Sequence, residues 1–137
     1  MKKTNSKSTD RHLYINFLKR SSECLKSADK ALKDASYASA SICAIHGCIS
    51  AVDTLCVYYL SKRSTSSRHE DAAQLLMSVQ SVKHEELSGL KTKVLKILKV
   101  KNMAEYEERL IREKEAIKLC EDAREVLGFV VSKLPAA

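Results

Sequence analysis

The stretch SYASASICAIHGCISAVDTLCVYYL (36–60) decides the fold. Its residues are apolar or small nearly all the way round a helical projection, and Asp53 is the single charge among them. A helix of that kind is buried on most of its sides. Over residues 36–62, the Ala, Ser, Gly and Cys side chains allow close approach of neighbouring helices. This suits the middle of a helical bundle or a subunit interface. A membrane hairpin is disfavoured by the serines, His46 and Asp53, and no stretch approaches the ~18 apolar residues that span a bilayer.

The rest of the 137-residue chain agrees with a single all-α domain. Three glycines and one proline, Pro135, are too few for the tight turns of sandwiches, barrels or Rossmann sheets. The formal charge is +7 and unevenly spread, with residues 1–34 and 61–101 basic and 102–137 slightly acidic. Such a distribution points to an anionic partner, RNA or a nucleotide. The five cysteines form no CxxC pair, and three lie in the apolar helix, as in a reduced cytoplasmic protein. The opening MKKTNSKSTD has no apolar run and is not a secretory signal.

Outward from the central helix, residues 1–9 read as a flexible basic tail and 10–134 as one helical domain. Tyr14, Leu18, Leu25, Ala28 and Leu32 form the inner stripe of a first helix, with Phe17, Cys24 and Ala31 alongside and Thr9 or Asp10 as cap. KRSTSS (62–67) is the clearest loop, and Ser67-x-x-Glu70 after it has the capping-box pattern. A third helix is expected over 68–79, with Ala72, Leu75, Leu76 and Val79 inward. Leu87, Leu90, Val94, Ile97 and Leu98 mark a basic fourth, broken or bent at Asn102. The last helix, about 104–133, should turn Leu110, Ile117, Cys120, Leu127, Val130 and Leu134 inward. Its outer pairs are Glu108–Arg112, Arg109–Glu113 and Lys118–Asp122.

The chain lacks Glu-x-x-His, a Gly-rich phosphate loop and GxSxG. Cys43, His46 and Cys48 are close in sequence, but helical geometry turns Cys48 away from the other two, so no metal or other cofactor is expected. Arg63 and His69 remain, separated by five residues. With Ser67 as N-cap, His69 falls in a first helical turn, where the helix dipole favours anions and a neutral imidazole. Arg63 offers a planar fork to a phosphate, with Lys62 and Ser67 beside it. Together they suit metal-free RNA cleavage, His69 taking the 2′-hydroxyl proton and Arg63 stabilising the phosphate charge. Structural pairing is the weightier alternative. Asp53 and His46, two turns apart on one face, need polar partners, and Arg63, Arg68 and His69 are the natural ones.

AIHGCISAVDTLCVYYLSKRSTSSRHEDAAQLL (44–76) resembles the central segment of small prokaryotic HEPN-domain proteins. The likeness lies in Ala51-Val52-Asp53, the polar loop from Lys62 to Ser67, and His69 followed by Ala72, Leu75 and Leu76. Lys101-Asn102-Met103-Ala104-Glu105-Tyr106 and the final LGFVVSKL resemble that family's C-terminal segment, so the resemblance covers about 12–134. It implies an antiparallel bundle of four to five helices that forms a homodimer. Many members are ribonucleases of toxin–antitoxin or defence systems, with Arg-x(4–6)-His motifs meeting at the dimer interface. Arg63 and His69 match that spacing, although Ser64 stands where active members commonly have Asn, Asp or His. Other branches are non-catalytic and bind a nucleotide or a partner such as a nucleotidyltransferase.

Overall fold

The computed structural model describes residues 6–65, 70–106 and 109–135, and for 102–106 the backbone alone. The central stretch forms one helix, α2 (Tyr37–Leu60). Around it stand α1 (Tyr14–Lys33), entered through a 3-10 turn at Arg11–Leu13, the short α3 (Glu70–Leu76), α4 (His84–Tyr106) and α5 (Glu113–Ser132). The described residues are thus mostly helical, with five α-helices, in line with the all-α expectation. By length and composition α2 would suffice to cross a membrane, which corrects the expectation that no stretch is apolar enough. Most of it is buried in the bundle, packed against α1, α4 and α5.

Small residues set the spacing of the first two helices. Gly47 lies so close to α1 that a Cβ there would come within 2.7 Å of Leu25 Cδ2, and Ser21 Oγ donates to the Gly47 carbonyl at 2.6 Å. Ala28, Ala40 and Ala44 continue the buried seam. Two hydroxyls that α2 carries inward bond to its own backbone. Ser41 donates to the Tyr37 carbonyl at 2.8 Å and Thr54 to that of Ser50 at 2.7 Å. The turn into α2 uses Ala35 at φ 56°, and α2 ends on Ser61, also left-handed at φ 51°.

Side-chain ties fix the directions. The α1–α2 hairpin is antiparallel, and so is α4–α5, where Lys93 pairs with Glu125 and Glu86 with Lys133. The helices α2 and α5 run parallel, because Cys120 Sγ meets the Ala40 carbonyl at 3.8 Å and Tyr59 Oη donates to the Lys133 carbonyl further along both. Successive long helices thus alternate in direction, and the parallel pair α2 and α5 are the second and fourth of an up-down-up-down arrangement.

Several boundaries differ from expectation. Lys62–Ser64, expected as a loop, is a strand (β2), and Ser6–Ser8, expected as a flexible tail, is its antiparallel partner (β1). Thr9 N donates to the Ser61 carbonyl at 2.8 Å and extends the ribbon. Polar side chains gave no apolar alternation to announce these strands; they form because backbone groups at the end of α2 need partners. Asp10 does not cap with its side chain and instead accepts from His12 Nδ1 at 2.8 Å. The backbone of α4 passes through Asn102 without a break. In the last helix the inward stripe is Ala116, Leu119, Cys120, Ala123, Val126 and Val130, while Leu110 is 81% exposed and Ile117 is also exposed. The helix starts later than expected, at Glu113, so Leu110 precedes it. Arg109 pairs with Glu115 rather than Glu113, at 2.8 and 2.7 Å, whereas Lys118–Asp122 is formed at 3.0 Å. Glu108 and the Ser67 cap lie outside the described residues.

Candidate functional site

The ribbon brings together one end of the bundle. The start of α1, the end of α2, and both strands meet there. Cross-strand pairing sets Lys7 opposite Arg63 and Ser8 opposite Lys62. Directly opposed residues of an antiparallel pair share a face, so Lys7 and Arg63 stand side by side as like charges, an unfavourable arrangement on its own.

Arg63 is half-buried, and its guanidinium lies 5.8 Å from the centroid of the Phe17 ring. Arg20, one turn after Phe17 on α1, places its guanidinium 5.4 Å from the same ring. A cation over an aromatic face is attracted by the ring quadrupole, at about 0.5–1 kcal/mol when exposed. A second aromatic group adjoins through the same helices. Tyr14 and Tyr58 meet edge to face at 4.9 Å, Tyr58 and Tyr59 at 4.8 Å, and Arg11 sits 4.1 Å over the Tyr58 ring.

Asp53, half-buried on α2, faces this group. Burial pushes its carboxyl up to about 6, against the opposing pull of Arg63 first and Arg20 second. Desolvation outweighs both guanidiniums, so they do not fully neutralise the buried carboxylate. Asp53 in turn helps to raise the Cys56 thiol, whose shift comes mainly from burial. The result is two guanidiniums sharing one ring and one carboxyl, with Lys7, Lys62 and Arg11 exposed at the margin.

Among the expected site residues, Arg63 and Asp53 are brought together, and Lys62 adjoins them on β2. His46 is exposed, not buried among the small residues of α2, which corrects its place in a buried polar cluster. It falls on the solvent edge because Ile45 and Gly47, on either side, take the inward positions. Ser67, Arg68 and His69 lie outside the described residues. Among the described residues, no group of three or more His, Cys, Asp or Glu could hold a metal ion.

Sequence reasoning did not single out Arg20, Arg11 or Tyr58 for the site, and it read Phe17 as core. The signal was the spacing of Tyr14, Phe17 and Arg20 at successive three-residue steps, which makes neighbours on a helix surface. Compared with known proteins, the chain matches no family model, no curated protein and no solved structure.

Proposed function

We propose that this chain is a HEPN-like RNA-binding protein, acting as a homodimer, that takes single-stranded RNA on the ribbon end of its bundle. The carrying observation is the sharing of Phe17 by Arg20 and Arg63, with Lys7 set beside Arg63. Cations crowded against one half-buried carboxylate suit a phosphate, which relieves their mutual repulsion. Aromatic rings under guanidiniums suit a stacked base. Arg63 serves as the phosphate fork, and His69, six residues on, is the group that would turn binding into metal-independent cleavage.

Fluorescence anisotropy with labelled single-stranded RNA tests the reading. Arg63→Ala is expected to weaken binding about tenfold and to flatten the plot of log affinity against log salt by about 0.7, one phosphate contact. Phe17→Ala is expected to weaken binding by a similar factor while leaving the salt slope unchanged, since stacking releases no counterion. Equal affinity in wild type, Arg63→Ala and Phe17→Ala would remove the RNA reading from this surface. Incubation with RNA in EDTA adds the catalytic arm. Cleavage lost in His69→Ala supports a ribonuclease, and intact RNA with tight binding leaves a non-catalytic module. Light scattering showing a monomer at tens of micromolar would rule out the dimeric form.

A further inference from the structure

Three thiols of different helices gather on the opposite half of the α1–α2 seam from the ribbon. Cys24 lies on α1 and Cys43 on α2, both half-buried, and Cys120 lies on α5, 1% exposed. The register of the seam brings Cys24 and Cys43 face to face. Ser21 bonds to Gly47, and moving one turn towards the connecting turn in each antiparallel helix leads to Cys24 on one side and Cys43 on the other. One further turn on, Ala28 and Ala40 are both buried. Burial pushes the Cys24 thiol up, and Cys43 contributes next, which places the two sulfurs within electrostatic reach of each other.

The spacing of the helices matters equally. Helices packed across large side chains lie about 8–10 Å apart, too far for most facing cysteines to join. A disulfide needs Cα atoms about 4.4–6.8 Å apart. The seam between α1 and α2 is built from Gly47, Ala28, Ala40 and Ala44, and at Gly47 there is no room even for a methyl group. Close approach of this kind favours the short separation that a disulfide between facing positions requires.

From this geometry we infer that Cys24 and Cys43 form an oxidation site, closing to an intrachain disulfide when a peroxide reaches them. The Cys43 sulfur attacks one peroxide oxygen, the O–O bond breaks, and a sulfenic acid and water result. The Cys24 sulfur then attacks the sulfenic sulfur. The S–O bond breaks, and the departing hydroxide takes the Cys24 proton as a second water. Two thiols lose two electrons and the peroxide gains them. The reverse order, with Cys24 attacking the peroxide and Cys43 resolving, yields the same disulfide. Cys120 is excluded by burial and by its sulfur's engagement with the Ala40 carbonyl.

The test treats the purified full-length chain with hydrogen peroxide, alkylates remaining thiols, and maps peptides by mass spectrometry. The expected product is a monomer lighter by two hydrogens, with one linked peptide pair joining Cys24 to Cys43. Dithiothreitol reverses it. Cys24→Ser and Cys43→Ser each abolish the link, while Cys120→Ser retains it. The oxidised wild type should melt about 5 °C higher, as a closed loop restricts the unfolded chain. Separate alkylation of both residues, stepwise oxidation of either to sulfinic acid without a link, or a Cys43–Cys120 link would each overturn the assignment. The mapping on wild type stands even where a serine variant fails to fold.

Discussion

Between them, α1 and α2 make two quite different contacts. In the middle of the seam they meet through Ser21, Leu25, Gly47 and alanines, with neutral groups closed to water. At the ribbon end the same helices meet through half-buried Phe17, Tyr14, Asp53 and Tyr58, with exposed Arg20 beside them. The first contact resists change because nothing in it has room to move. The second holds a half-buried carboxylate whose burial its guanidinium neighbours only partly offset. Stability should reside in the first, and sensitivity to pH, salt and ligands in the second.

Leu25→Ala offers the hardest way to break this division. It empties a buried position on the seam and should cost about 2–5 kcal/mol in urea unfolding. Gly47→Val should cost about 1–3 kcal/mol by overpacking against Leu25. The double variant Leu25→Ala with Gly47→Val should lose less than the sum, because each change makes room for the other. Full additivity would show that the two residues do not share the seam.

Asp53→Asn sharpens the other side. With the folded carboxyl raised to about 6, the carboxyl is neutral in both states below about pH 4, and its contribution is intact there. As pH rises from 4 through 6, the unfolded chain ionises first and wild-type stability falls. The asparagine variant lacks that fall. It should match wild type near pH 4 and exceed it by about 2 kcal/mol at pH 8. A gap that widens towards acid would mean that Arg63 and Arg20 dominate over burial.

Arg20→Ala should change stability by under about 1 kcal/mol, as expected for a cation–π contact at the surface. It should still lower RNA affinity several-fold, separating the ribbon end from the seam. The smallest effect belongs to the far end of the bundle. There Arg109 chiefly, and the Arg112 N–H next, hold the Glu115 carboxyl down at about 2. In Arg109→Ala that carboxyl should titrate nearer the ordinary carboxylate range by NMR, with RNA binding unchanged.

How far these regions were legible in the sequence follows from what each is made of. The core of α2 announced itself because apolarity all round a helix has a single physical outcome. The proximity of Asp53 and Arg63 was legible too, since a lone acidic residue in such a helix demands a counter-charge nearby. His46 was misread because the run of small neighbours around it hides which way a residue faces; only packing against Leu25 and the other helices decides it. In and before α5, Cys120, Leu127, Val130 and Leu134 pack inward as expected, while Leu110 and Ile117 were misread for a related reason. Ala116 and Ala123 are weaker signals than Ile117 and Leu110, yet the close packing against α2 takes the smaller residues. The ribbon was invisible, because Lys-Arg-Ser and Ser-Lys-Ser have no strand pattern and pair through backbone alone. Phe17 belonged to the first helix's apolar set, and only the ribbon, by carrying Arg63 over it, makes it part of a charged surface.

That ribbon also closes a circle. Its two strands lie at either end of everything comprising α1 and α2, so the polypeptide returns to its own beginning before continuing into α3. During synthesis β1 emerges long before β2 and waits for it, and the long closure makes this pairing a late event. Two strands of three residues are also marginal on their own and open ahead of the core. Arg63 thus occupies its place only while Ser6–Ser8 are docked. Replacing Ser6–Ser8 with a flexible glycine–serine stretch would release Arg63 from its cross-strand partner while leaving the α1–α2 seam intact.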